Sequence, residues 1–186
     1  MTWMEVYKRF WQNAFKMRGR ARRKEYWVPV LINGLIALGL MLIFSFVDYA
    51  MGYTPDAMAD ADQAVETLIK PSNIVNWLWS LILLIPSFTV LARRLQDINI
   101  NGWWALVPQL SGLVFAGISI FLAISLFANG DGGALTFLTV FSIGALVVCI
   151  IGIVFFVFTV LDSKPGPNKY GEDPKKNERY YYKGEN

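Results

Sequence analysis

The chain has 186 residues, 55% of them hydrophobic and only 17% charged, with a net charge of +3 and a mean hydropathy of +0.41. Soluble domains carry about 25% charged residues, and here no charge at all falls in 26–47, 71–92, 98–130 or 132–161. Each stretch exceeds the roughly 20 apolar residues that cross a bilayer as a helix. That excludes a water-soluble globule, and also a porin-like barrel, whose strands alternate over only about 10 residues.

Residues 2–17 come first. Trp3, Val6, Tyr7, Phe10, Trp11, Ala14 and Met17 recur at three- and four-residue spacing, opposite Glu5, Lys8, Arg9, Gln12, Asn13 and Lys16. The spacing predicts an amphipathic helix, of a kind suited to an anionic headgroup plane; packing on a soluble partner or on the protein's own loops is the alternative. A basic run, Arg18, Arg20, Arg22, Arg23 and Lys24, leads into the first apolar segment. Pro29 is expected in its first turn, and the long basic start reads as an uncleaved anchor rather than a signal peptide.

Residues 48–72 are acidic, with Thr54-Pro55-Asp56 as a helix start and Pro71 as its stop. The second apolar segment is interrupted by Pro86, which frees a carbonyl and predicts a kink; Ser87 beside it is expected to bond backbone. A tight polar turn is expected over 93–102. Two further segments follow, separated by a short Gly-rich loop at 128–134. The tail 162–186, rich in Lys, Pro, Gly and Asn and ending in Tyr180-Tyr181-Tyr182, reads as coil.

The expected fold is therefore an all-α membrane protein of four transmembrane helices, about 27–47, 73–92, 103–127 and 135–161, preceded by an amphipathic interfacial helix. Residues 1–26 and 162–186 form cytoplasmic segments around a transmembrane domain at 27–161. With four spans, sixteen Lys and Arg lie on the side of both termini and only Lys70 on the other. The positive-inside rule makes both termini cytoplasmic and 48–72 periplasmic. The seven tryptophans agree, all falling near segment ends.

The catalytic inventory is thin. There is no histidine, so His-based triads and zinc sites are absent, and no GxSxG, Walker A or GxGxxG motif occurs. No enzyme activity, metal, cofactor or nucleic-acid partner is expected. Cys149 reads as a buried, protonated thiol. Asn33, Asn76, Gln109 and Ser111 are polar candidates inside the spans, each readable as helix-to-helix glue. Gly112 and Ala116, with Ala145, Cys149 and Gly152, form small-residue faces suited to packing within the bundle or to a homo-oligomer.

One constellation stands out. Arg93-Arg94-Leu95-Gln96-Asp97 is followed by Asn101-Gly102-Trp103-Trp104, placing two guanidiniums, a carboxylate in i+4 and i+3 reach, and paired indoles at headgroup depth. Arg forks match phosphate geometry, so this is either a docking point for anionic lipid or another phosphate, or a salt-bridged turn. Asp97 is expected to pair with Arg93 or Arg94.

These residues resemble a known family. The run Phe15 to Trp27 is similar to the F-x-x-x-G-R-x-x-R-x-E-Y/F-W opening of the YhaH-like bacterial inner-membrane proteins, which carry the domain of unknown function 805. Pro86-Ser87, Arg93 to Asp97 and Gly102-Trp103-Trp104 resemble its P-S…R-R-L-H-D…S-G-W-W centre. Gly166, Asn168, Tyr170, Gly171, Asp173 and Pro174 fit its G-x-N-x-Y-G-x-D-P ending. Gln96 stands where the family pattern has His, and Asn101 where it has Ser. The resemblance implies a multi-pass inner-membrane protein and carries no biochemical activity.

The leading expectation is a non-enzymatic scaffold or adaptor. It would bind anionic membrane lipid or a protein partner through a cytoplasmic face of Arg18, Arg20, Arg22, Arg23, Arg93, Arg94, Asp97, Trp103, Trp104 and the 166–174 turn. The alternative is a small-solute or lipid transporter acting as an oligomer, with a polar cavity shared by Asn33, Asn76 and Gln109.

Overall fold

A computed structural model of the chain describes residues 1–53, 69–129, 134–176 and 178. Its helices are α1 (Trp3–Gln12), α2 (Arg23–Ala50), α3 (Pro71–Asp97), α4 (Leu106–Asn129, entered through a 3-10 turn at Gly102–Ala105) and α5 (Ala134–Val160). Four are long and apolar enough to cross a membrane, at Arg23–Ala50, Pro71–Asp97, Gly102–Leu122 and Leu135–Val160. Their large apolar side chains stay exposed, among them Leu35, Phe46, Leu81, Phe121 and Ile153; hydrocarbon rather than protein is the solvent those faces suit. Residues 54–68 of the helix expected to start at Thr54, residues 130–133 of the Gly-rich loop and the terminal tyrosines lie outside the described residues.

The chain divides into two compact units. Unit 1 comprises Met1–Phe15 and Trp27–Ser87. In it α1 opens with a capping box: the Glu5 N–H donates to Thr2 Oγ1 and the Thr2 N–H to Glu5 Oε2, satisfying two donors at the helix start. The helix stops at Gln12 rather than reaching Met17, because Asn13 turns back and donates from Nδ2 to the Arg9 carbonyl at 2.9 Å. Val6, Phe10 and Ala14 are buried within the chain, while Trp3, Met4 and Phe15 remain exposed. The Tyr7 hydroxyl donates to Asn33 Oδ1 on α2 at 2.9 Å, so that buried amide is satisfied by α1.

Helix α2 begins at Arg23, which places Pro29 inside it rather than in its first turn. It ends at Ala50 and is closed by Gly52, whose φ of 88° suits a residue without Cβ, with the Tyr53 N–H returning to the Asp48 carbonyl at 3.0 Å. Asp48 also serves the next helix. Its Oδ1 accepts the Ser72 N–H at 3.2 Å, capping the start of α3, where Pro71 takes the first position. Pro71 thus starts a helix, and α3 runs on through Pro86 without a break.

Unit 2 comprises Lys16–Tyr26 and Phe88–Asn186. Here α3 continues to Asp97, so Arg93 and Arg94 sit in a helix and not in the expected turn. Asn99, at φ 69°, ends it, and the Ile100 N–H bonds back to the Leu95 carbonyl at 2.9 Å. Leu91, Ala92, Leu95, Ile98, Ala105 and Phe155 form its apolar core.

Helices α4 and α5 pack through Gly144, where an added Cβ would fall 2.8 Å from the Phe115 ring. The expected small-residue faces do not carry this packing. Gly112 and Gly152 have open space at the Cβ position, and Ala116 and Cys149 are exposed. Cys149 is exposed rather than buried, because its side of α5 is left uncovered among the described residues.

Candidate functional site

Three segments distant in sequence meet at the polar end of unit 2. At their centre lies Asp97, fully buried. Its Oδ1 accepts Arg20 Nε at 2.8 Å and its Oδ2 accepts Arg94 Nη1 at 2.7 Å; the two arginine side chains are 2% and 0% exposed. One carboxylate between two buried guanidiniums leaves an excess positive charge, which backbone carbonyls share. Arg94 Nε donates to Thr159 O at 3.1 Å and Nη2 to Leu161 O. These are carbonyls at the end of α5, which lack partners within their own helix and carry the negative end of its dipole. Arg20 donates to Gly166 O and Lys164 O, each at 2.6 Å. The two arginines thereby fasten the 161–166 segment to the end of α3.

Gln96 makes the second fastening. Its Oε1 accepts the Gly19 N–H at 3.0 Å, its Nε2 donates to Met17 O at 3.0 Å, and its carbonyl accepts Asn168 Nδ2 at 2.9 Å. Gly19 has φ 138°, and a Cβ on Gly102 would lie 2.4 Å from Gln96 Nε2. Both glycines are thus required by one amide, the first for its backbone and the second for room.

The 166–175 segment is ordered, not coil, and holds itself together. Asn168 and Gly171 exchange backbone bonds at 3.0 and 3.1 Å, and Asn168 Oδ1 accepts the Tyr170 N–H. Asp173, buried, accepts the N–H groups of Gly166 and Lys175. Pro174 continues this turn. The signature glycines, asparagine and aspartate are thus the parts of a folded turn.

The remaining arginines differ in their partners. Arg22 pairs with Glu178; Arg23 donates to Leu161 O at 3.1 Å and lies 3.5 Å from Asp162. Asp162 also receives Lys175 Nζ at 2.5 Å, and that hydrogen bond, with the charges of Lys175 and Arg23, holds its carboxyl below the usual carboxylate range. Arg93, buried, donates to Thr89 O on its own helix at 3.4 Å and does not pair with Asp97. Trp103 and Trp104 are 61% and 58% exposed.

Of the sequence candidates, then, Arg20, Arg94 and Asp97 come together inside the protein. Arg22 and Arg23 hold carboxylates at the surface, and Arg18, Trp103 and Trp104 stay open. Gln96, Thr159, Leu161 and Asp162 were not among those candidates. The transporter reading required Asn33, Asn76 and Gln109 to share a cavity; Asn33 is bonded to Tyr7, and Asn76 Nδ2 donates within its own helix to Ser72 O.

A family model described as "Protein of unknown function (DUF805)" matches residues 14–172. Inner membrane protein YhaH of Escherichia coli strain K12 is 28% identical over 172 residues, covering 92% of this chain and 98% of that one. Inner membrane protein YhaI of the same strain is 28% identical over 114 residues, 60% of this chain and 79% of its own. No solved structure matches the chain.

Proposed function

The chain belongs to the DUF805 family of inner-membrane proteins, and on that premise we propose that it is a non-enzymatic scaffold whose cytoplasmic face binds anionic phospholipid. One observation carries the reading: the Arg20–Asp97–Arg94 triad and Gln96 engage their polar groups with one another and with backbone. Such a network fixes a surface and leaves no poised nucleophile or base. Sixteen basic residues against one across the four spans support a cytoplasmic position for that surface and both termini, where anionic lipid headgroups attract each cation by about 1 kcal/mol.

The experiment is reconstitution of the full chain in vesicles of mixed phosphatidylethanolamine and phosphatidylglycerol. Native mass spectrometry should find phosphatidylglycerol retained above its bulk fraction, and small-solute flux should equal that of empty vesicles. Flux above that baseline would favour a transporter, and lipid retained in bulk proportion would remove the scaffold's ligand.

A further inference from the structure

We infer that a cleft of about 330 Å³ in unit 2, lined by Met17, Arg18, Gln96, Asn101, Trp103 and Tyr170 among others, is the binding site for the phosphate-bearing headgroup of one anionic phospholipid. The inference rests on the scaffold reading and gives it a specific seat.

Charge is the first argument. The three signature segments contain six arginines, and Arg20, Arg22, Arg23, Arg93 and Arg94 all have intramolecular partners. Arg18, exposed at the cleft, makes no hydrogen bond or ion pair among the described residues. No carboxylate lines the cleft. A guanidinium left open in a depression without anions is a site for an anion brought from outside, and its planar fork fits phosphate oxygens.

Preorganisation is the second. Gln96 holds the backbone on both sides of Arg18, at Met17 O and the Gly19 N–H, so the residue is presented on a fixed turn. Asn101 is fixed as well, its Oδ1 accepting the Trp103 N–H at 3.2 Å. The volume falls in the range of about 300–1,000 Å³ typical of small-molecule sites, larger than a lone ion needs.

Position selects the source of the phosphate. Trp103 lies near the start of the charge-free run 98–130, six positions after Asp97, so the cleft sits at the boundary between polar and apolar chain, where amphipathic rings such as Trp103 and Tyr170 meet headgroups. Beyond it α4 presents Leu110, Leu113 and Val114 exposed, an apolar path for acyl chains. A soluble phosphate would use the first feature and gain nothing from the second.

The test titrates the detergent-purified full chain with dihexanoyl-phosphatidylglycerol, with dihexanoyl-phosphatidylcholine and glycerol 1-phosphate as parallel arms, read by native mass spectrometry. Phosphatidylglycerol should bind in preference to both. Arg18→Gln should weaken it about tenfold, the effect of losing one hydrogen bond to a charged group; Arg18→Lys should restore part of the loss. Arg22→Gln and Arg23→Gln, whose arginines already hold carboxylates, should change it less than twofold. Equal binding of phosphatidylcholine, or glycerol 1-phosphate binding as tightly as the lipid, would overturn the assignment. Retention of phosphatidylglycerol by the wild type with no response to Arg18→Gln would remove the seat and leave the scaffold reading standing. No enrichment in the wild type would remove both.

Discussion

Replacing Asp97 with Asn keeps the shape of the side chain and removes the one negative charge between Arg20 and Arg94. Both guanidiniums are essentially inaccessible to water, at 2% and 0% exposure, so neither can recover hydration. Breaking a buried pair by removing one partner costs about 3–5 kcal/mol. Two cations are stranded here, but each retains carbonyl acceptors, at Gly166 and Lys164 for Arg20 and at Thr159 and Leu161 for Arg94. The same range therefore serves for the substitution as a whole. Asp162→Asn is the control, because Asp162 is 58% exposed and surface pairs contribute about 0–1 kcal/mol. At this chain length 1 kcal/mol moves a melting midpoint by roughly 2–4 °C. Melts followed by tryptophan fluorescence in one detergent should thus fall on the order of 10 °C for Asp97→Asn, against no more than about 4 °C for Asp162→Asn. Combining Asp97→Asn with Arg20→Gln removes one stranded cation, so the double variant should melt above the sum of the single effects. Equal shifts for Asp97→Asn and Asp162→Asn, or strict additivity of the pair, would refute the buried triad.

The other predictions concern the turn, the surface pair and topology. Gly19→Ala forces a side chain to φ 138°, a strain of about 1–3 kcal/mol, and Gly102→Ala drives a Cβ into Gln96 Nε2; both should expose the Arg18 bond to trypsin faster than in the wild type. The Asp162 carboxyl titrates lower in the folded chain than in the unfolded one. Its contribution, below about 1 kcal/mol at this exposure, is complete above the unfolded value of about 3.9 and fades as pH falls through the folded one. Asp162→Asn and wild-type melting curves should accordingly differ at pH 7 and converge in acid. In a Cys149→Ser background, cysteines at Asp60 and Asp131 should label from the periplasm and one at Lys175 should not; labelling of Lys175 from outside would invert the orientation.

Much of the fold was legible because the bilayer imposes its own length on a chain. Stretches free of charge marked all four long helices, with ends shifted by a few residues, as where Asn99 carries α3 past both arginines to Asp97; in the amphipathic α1 it was Asn13 that ended the helix early. Of the site, the Arg94–Asp97 pair was legible from its i+3 spacing; the rest was legible only as composition. Arginines, an aspartate and tryptophans near a segment end looked like one open face, yet Arg20 and Arg94 point inward to carbonyls of Lys164, Gly166, Thr159 and Leu161. A backbone carbonyl has no residue signature, and these lie 65 to 146 positions away along the chain. The role of Gln96 was missed for the same reason, since both of its side-chain bonds are to backbone groups of the 17–19 turn. Arg18 could not be told from its neighbours by type; only the partners of the other five set it apart.

The central claim is that Arg20 and Arg94 lock three segments into one folded unit and leave Arg18 to a ligand. Amide hydrogen exchange of the full chain in lipid nanodiscs tests it most directly. The account predicts slow exchange at Ala21, Gly166, Asn168 and Gly171, whose N–H groups are bonded to Arg93 O, Asp173 Oδ2, Gly171 O and Asn168 O, with protection lost together in Asp97→Asn. Exchange of 162–176 at free-coil rates while α3 stays protected would contradict it, because Arg20 and Arg94 would then be open to the headgroups like Arg18.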